Sequence, residues 1–173
     1  MAFSTLQMSN AHRFACPRWY ALYTRSRYEK KVDLDLRSRG IESYLPLVQE
    51  VHCWSDRKKK VWEPLFRGYV FVRTDLREKV SILQTPGVVR FVGIRHVPSS
   101  IPDEQINWIR ILTNAPDALR RETYLAVGET VRITAGPFRG VEGFIVRVKD
   151  CTRVVISLAA IAQSVSVEVP AEF

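Results

Sequence analysis

Gly68-Tyr69-Val70-Phe71-Val72-Arg73 is the stretch that decides how this chain folds. Successive side chains of a strand point to opposite faces, so the unbroken apolar run Tyr69 to Val72 must bury both faces. Such a strand lies inside a sheet whose faces are covered by other elements. Upstream, Trp19-Tyr20-Ala21-Leu22-Tyr23 reads as a second, aromatic-rich strand. A helix comes after it. Ser26 and Glu29 have the S-x-x-E spacing of a capping box, in which each side chain satisfies a free backbone N–H of the first turn. Tyr28, Val32 and Leu36 recur every four residues and form the expected buried stripe, and Gly40 stands where a left-handed C-terminal cap belongs. The opposite face carries Arg25, Lys30, Lys31, Arg37 and Arg39.

Between helix and central strand, Ser43 to Leu45 is a short strand ended by Pro46, and residues 47–66 resemble a long hairpin. Its arms are Val48–Trp54 and Val61–Phe66, and its tip is Ser55-Asp56-Arg57-Lys58-Lys59-Lys60. Pro64 cannot donate to a ladder, which argues for an edge or frayed position of its arm. Downstream, Asp75 is a helix N-cap with Leu76, Val80 and Leu83 on one face, stopped by Pro86-Gly87. Val88–Val92 is a strand, and Pro102 opens a helix at its first turn, with Ile106, Ile109 and Leu112 as its stripe. Asn114 and Pro116 end it. The pattern then changes to short strands separated by glycines, Thr130–Thr134, Gly143–Val148, Arg153–Leu158 and Val165–Val169, as in a small β-barrel. The expected organisation is a flexible tail at 1–16, an N-terminal domain at 17–114, a linker at 115–124 and a barrel domain at 125–173.

The chain has 173 residues and a formal net charge of +8. Residues 1–114 hold 19 Lys and Arg against 11 Asp and Glu, and residues 115–173 hold 7 against 7, so the whole excess lies in the first segment. A basic domain joined to a neutral one either meets a polyanion or simply keeps the chain soluble. Cys16, Cys53 and Cys151 are far apart and odd in number, which argues against a disulfide framework or zinc site and fits a reducing interior. The first 16 residues have no apolar run of the signal-peptide kind, and no segment approaches 18 consecutive apolar residues. The expectation is a cytoplasmic protein with no membrane partner.

Catalysis finds no footing. His12, His52 and His96 lie in unrelated segments, and no metalloprotease, nucleophile-elbow or P-loop pattern occurs. His52 and Cys53 are adjacent on a strand and point to opposite faces. Gly136, Gly140 and Gly143 lack the strand-to-helix context of a phosphate loop and read as barrel turns. No enzyme, metal or cofactor is expected.

Two segments carry a family resemblance. Gly128-Glu129-Thr130-Val131-Arg132-Ile133, followed by Gly136-Pro137-Phe138-Arg139-Gly140-Val141-Glu142-Gly143, resembles the KOW motif that opens the C-terminal domain of NusG proteins. Trp19 to Tyr23, Glu29-Lys30-Lys31-Val32 and Pro64-Leu65-Phe66-Arg67-Gly68-Tyr69-Val70-Phe71-Val72 resemble their N-terminal domain. KOW alone also occurs in ribosomal proteins, whereas the two together are specific. The resemblance implies an α+β chain: an N-terminal α/β sandwich with an antiparallel sheet, then an SH3-like barrel. It further implies a transcription elongation or antitermination factor, and nothing in the sequence demands more than a monomer. Such a factor docks on the clamp helices of the largest RNA polymerase subunit, contacts the non-template DNA strand, and reduces pausing or termination.

Tyr23, Phe66, Tyr69 and Phe71 match the aromatic positions of the family's polymerase-facing patch, or else fill the core. Arg25 and Lys31 match basic positions near the non-template strand, or else form a solvated face. From the residues alone, Arg57, Lys58, Lys59 and Lys60 present four cations to phosphate, while Trp54 and Trp62 either stack on bases or pair across the hairpin. Arg67 stands where the family usually has Pro. The Phe-Gly-Arg stretch with which housekeeping members dock a small-subunit ribosomal protein is missing from Ser157 to Ser164, which puts ribosome contact through the KOW domain in doubt. These departures resemble a specialised paralogue acting at particular operons. Some specialised relatives hold their two domains together, and the apolar run Leu158 to Ile161 with Ala162 serves either such a contact or an ordinary barrel strand and loop. The alternative function is a ribosome-associated or general RNA-binding KOW protein.

Overall fold

The computed structural model describes residues 16–53, 58–95, 97–115, 119–122, 128–148 and 151–168. In chain order, strand β1 (Arg18–Thr24) leads to helix α1 (Glu29–Ser38), strand β2 (Glu42–Tyr44), and strands β3 (Leu47–Cys53) and β4 (Lys58–Pro64). Strand β5 (Tyr69–Thr74) precedes a 3₁₀ turn (Leu76–Glu78), helix α2 (Lys79–Leu83) and strand β6 (Val88–Phe91). Short strands β7 (Gly93–Ile94), β8 (Val97–Pro98) and β9 (Ser100–Ile101) lead to helix α3 (Asp103–Thr113). Strands β10 (Leu119–Glu122), β11 (Glu129–Arg132), β12 (Glu142–Val148), β13 (Cys151–Leu158) and β14 (Gln163–Glu168) complete the chain. These elements form two compact units, residues 1–45 with 67–103, and residues 46–66 with 104–173.

The first unit is built on a sheet of order β2-β5-β1-β6, antiparallel throughout, with β9 also paired to β1. The strand that decides the fold lies inside it, and Val70, Phe71 and Val72 are all fully buried. Val32 and Leu36 of α1 are fully buried as well. Gly40, at φ 74°, donates to the Arg37 carbonyl while Ile41 donates to the Leu36 carbonyl, which is the left-handed closure expected there.

Two helix starts differ from expectation. The capping box does not form: α1 begins after Tyr28, whose side chain makes no cap, and Arg27 at φ 64° separates Ser26 from the first turn. Glu29 reaches elsewhere, accepting a hydrogen bond from the Gly68 N–H at 2.7 Å. At the second helix, Asp75 caps the 3₁₀ turn by accepting from Arg77 N–H at 2.9 Å. That tighter turn shifts the phase of α2, so Ile82 is buried and Val80 faces solvent.

The second unit holds the β3–β4 hairpin, α3 and an antiparallel sheet of order β10-β14-β13-β12-β11. Ile106, Ile109 and Leu112 of α3 are fully buried, as their spacing requires. Pro102 stands just before the first helical residue rather than inside the first turn. The Gly136–Gly140 turn is closed by Gly140 N–H donating to the Ile133 carbonyl at 2.8 Å, with both glycines at positive φ. Leu158 and Ile161 are buried at the β13–β14 connection. Part of the segment expected to be a linker is strand: Leu119 to Glu122 pairs with Val167 to Ser164 of β14. Residues 116–118 and 123–127 of that segment, and the expected tail up to residue 15, lie outside the described residues. No helix among the described residues is long and apolar enough to cross a membrane.

Candidate functional site

The β1–β5 register sets Tyr23 opposite Tyr69 and Ala21 opposite Phe71. Tyr23 is the one residue inside β1 whose side chain emerges; its neighbours Leu22 and Thr24 are buried. Its ring, 38% exposed, lies 5.6 Å from the half-buried Tyr69 ring, tilted by 59°. On the other flank of β1, Arg90 pairs with Tyr23, and its guanidinium sits 5.3 Å from the Tyr23 ring centroid. The result is a ring pair bounded by a cation at the surface of the first unit.

The turn before β5 holds this pair in place. Gly68, at φ 81°, donates to Glu29 and accepts from Thr24 N–H at 2.8 Å. A side chain added at Gly68 would meet the Tyr23 ring at 3.4 Å. Glycine is required there by backbone conformation, and the ring lies within contact distance of it.

Phe66 and Phe71 do not join the exposed patch. Phe71 is fully buried, its ring 6.3 Å from that of Tyr44, and Phe66 is 1% exposed. Phe71 lies inside the sheet, where both faces are covered, so its ring serves the core. Behind the patch, burial pushes the Tyr20 hydroxyl above its ordinary range, with Arg18 opposing the shift and Asp75 adding to it.

The basic positions lie at the turn before β6 and on α1. Arg25 is exposed, and its N–H donates to the Gly87 carbonyl at 2.8 Å, which ties the end of β1 to the turn before β6. Lys31 is exposed, its ammonium 5.7 Å from the Tyr28 ring, and Tyr28 in turn covers Gly87. The four-residue spacing assigns Tyr28 to the buried stripe, yet it stands 37% exposed because α1 starts only after it.

The hairpin differs from its expected form. Its register runs from Leu47↔Pro64 to Cys53↔Lys58, so Lys58, Lys59 and Lys60 belong to strand β4 rather than to the tip. Arg57 and Trp54 lie outside the described residues. Lys60 is exposed, and Trp62, opposite Gln49, is 52% exposed. Sequence reasoning misses Arg90, Tyr28 and Glu29 as parts of the site. No local signal marks Arg90, because only the β1–β6 register brings it to Tyr23.

Comparison with known proteins agrees with this architecture. The family described as transcription termination factor nusG matches residues 17–110. The transcription termination/antitermination protein NusG of Borreliella burgdorferi is 31% identical over 147 residues, covering 73% of this chain and 80% of that protein. Its counterpart from Pseudomonas aeruginosa is 29% identical over 165 residues, covering 87% and 93%. The solved structure of Thermotoga maritima NusG aligns with a TM-score of 0.50 at 24% identity, over 88% of this chain and 93% of that one, which supports the fold. The chain belongs to the NusG family of transcription termination and antitermination factors.

Proposed function

We propose that this chain binds RNA polymerase through Tyr23 and Tyr69, which dock on the clamp helices of the largest subunit, and that Arg25 and Lys31 hold the non-template DNA strand. The observation that carries this reading is the Tyr23–Tyr69 pair, two large rings at 5.6 Å left at the surface of a basic unit. Rigid aromatics bury much area at little entropic cost, which makes them natural anchors of an interface. Phe71 acts from behind, as a buried support of the strand that presents Tyr69. Arg25 and Lys31 contact phosphate, which contributes affinity without reading sequence. The hairpin cations Arg57, Lys58, Lys59 and Lys60 make phosphate contacts of their own. The outcome is reduced pausing or termination, at particular operons. The ribosome-associated alternative needs a basic barrel, whereas residues 115–173 balance 7 cations with 7 acids.

The test is binding of the full chain to a reconstituted bacterial elongation complex by gel shift, beside Tyr69→Ala and an Arg25→Glu/Lys31→Glu pair. Loss of the ring costs about 2 kcal/mol, roughly thirtyfold in affinity. The charge reversal weakens binding and flattens its dependence on salt. Undiminished binding by Tyr69→Ala removes the ring pair from the interface and refutes this reading of it.

A further inference from the structure

A groove of about 500 Å³ lies on the first unit and shares only Arg90 with the ring pair. Its floor and walls come from Lys79 and Leu83 of α2, Val89, Arg90 and Phe91 of β6, and Arg95 just after β7. Cations from different elements converge on it, and no carboxylate among the described residues lines it. The nearest acid in sequence, Glu78, is engaged elsewhere, accepting from the Thr74 hydroxyl at 2.8 Å. Between the cations the surface is aliphatic. Val89 in the lining is half exposed, and Ile94 and Val97, paired across β7–β8 next to the lining residues Gly93 and Arg95 in sequence, are 74% and 66% exposed. Apolar side chains left this open, in a cluster rimmed by charge, mark a surface that another molecule covers.

The chemistry of the lining selects the occupant. Single-stranded nucleic acid would use the cations but needs aromatic faces on which to stack its bases. The ring that lines the groove, Phe91, is 8% exposed and already set edge-on against Tyr20 at 6.0 Å. Aliphatic side chains instead suit aliphatic partners, and the cations suit carboxylates. The groove also runs beside β6, the last strand in the order β2-β5-β1-β6, where an extended chain can lie along the sheet. An extended chain points successive side chains to opposite sides, so with acids and aliphatics in alternation the acids on one side would meet the cations while the aliphatics on the other lie on the apolar floor.

We propose that this groove is a docking site for an extended segment of a partner protein whose carboxylates alternate with aliphatic side chains. The site meets the ring pair only at Arg90, which the test variant leaves intact, so its fate can be read apart from that of the rings. The test pans a library of displayed random peptides on the immobilised full chain, with counter-selection on a Lys79→Glu/Arg95→Asn chain. Asparagine is chosen at 95 because Arg95 has φ 48°, a conformation asparagine tolerates. Backbone amide spectra of the variant, unchanged away from the groove, establish that it folds. The expected result is an enriched acidic–aliphatic consensus that shifts the amides of Leu83, Val89, Arg90 and Arg95. Its affinity should fall about tenfold in the variant. The proposal is overturned if no peptides are retained by the wild type and lost by the variant, or if the consensus lacks acids. It is equally overturned if a short oligothymidylate displaces the selected peptides and shifts the same amides, which would make the groove a nucleic-acid site.

Discussion

The backbone N–H of Gly68 donates to the buried carboxylate of Glu29 at 2.7 Å, joining the first turn of α1 to the residue that precedes Tyr69. Removing the acceptor leaves that N–H without a partner, which costs about 1–3 kcal/mol. Glu29→Leu should therefore be destabilised by that amount in urea unfolding, while Glu29→Gln, which keeps an oxygen acceptor, should lose less. Because the turn aims the Tyr69 ring, the Leu variant should also bind the elongation complex more weakly than the Gln variant. Equal stability of the two would show that the contact contributes nothing.

Gly68 itself is the second sensitive point. A left-handed backbone costs a residue with a Cβ about 1–2 kcal/mol, and the added methyl would lie in contact with the Tyr23 ring at 3.4 Å. Gly68→Ala should lower the midpoint of urea unfolding and shift the aromatic proton signals of Tyr23. Gly40→Ala serves as the control, since a Cβ at Gly40 meets nothing within 4 Å and carries only the backbone cost.

Phe71 and Tyr69 lie two residues apart on β5 and should respond in opposite ways. Phe71 is fully buried, so Phe71→Ala opens a cavity and costs about 3–5 kcal/mol. The half-buried Tyr69 should cost about 1 kcal/mol in stability when cut to Ala, while losing far more in polymerase binding. Thermal unfolding set beside the gel shift separates the two. A Phe71→Ala chain that stays as stable as the wild type would contradict its place in the core.

The features legible in the chain are those that local spacing determines. The run Val70 to Val72, the stripe Ile106, Ile109 and Leu112, and the cap at Gly40 each arise from residues within a turn or a strand of one another. Elements whose partners are distant in sequence are hidden. Ser26 and Glu29 have the spacing of a capping box, yet Arg27 turns left-handed between them and Glu29 finds Gly68 instead. Leu119 to Glu122 shows no alternation and becomes a strand only because β14 supplies its ladder. The aromatic positions at the candidate site are legible, but which rings emerge is not. Tyr23 and Tyr69 differ from Phe71 only in where the register and the covering layer place them.

Asp75 provides a pH-dependent handle on the turn after β5. Its hydrogen bonds from Arg77, reinforced by that residue's charge, hold the carboxyl below the ordinary carboxylate range, whose value is about 4. A depressed folded value means that the stabilisation is fully present above the unfolded value and is lost as pH falls through the folded one. Titrating the Asp75 carboxyl carbon by NMR should place its midpoint below the ordinary value in the wild type. It should move upward in Arg77→Gln, and unfolding under mildly acid conditions should become easier in that variant. An unmoved midpoint would mean that Arg77 does not stabilise the carboxylate.

Arg121 ties β10 to the base of the basic hairpin within the second unit. Its Nε donates to the Leu65 carbonyl at 2.9 Å and one Nη to the Pro64 carbonyl at 2.8 Å, while the other pairs with the Glu50 carboxylate. Two backbone carbonyls and a carboxylate held by one planar fork form a geometry that lysine cannot reproduce. Hydrogen bonds to a charged group contribute about 1.5–3 kcal/mol, roughly a tenfold to hundredfold change in a local opening equilibrium. Arg121→Lys should therefore raise amide exchange along residues 47–53 and 58–63 while leaving the β1–β5 pairing of the first unit protected. If the hairpin amides exchange as in the wild type, the fork does not hold the hairpin and the β3–β4 ladder is sufficient on its own.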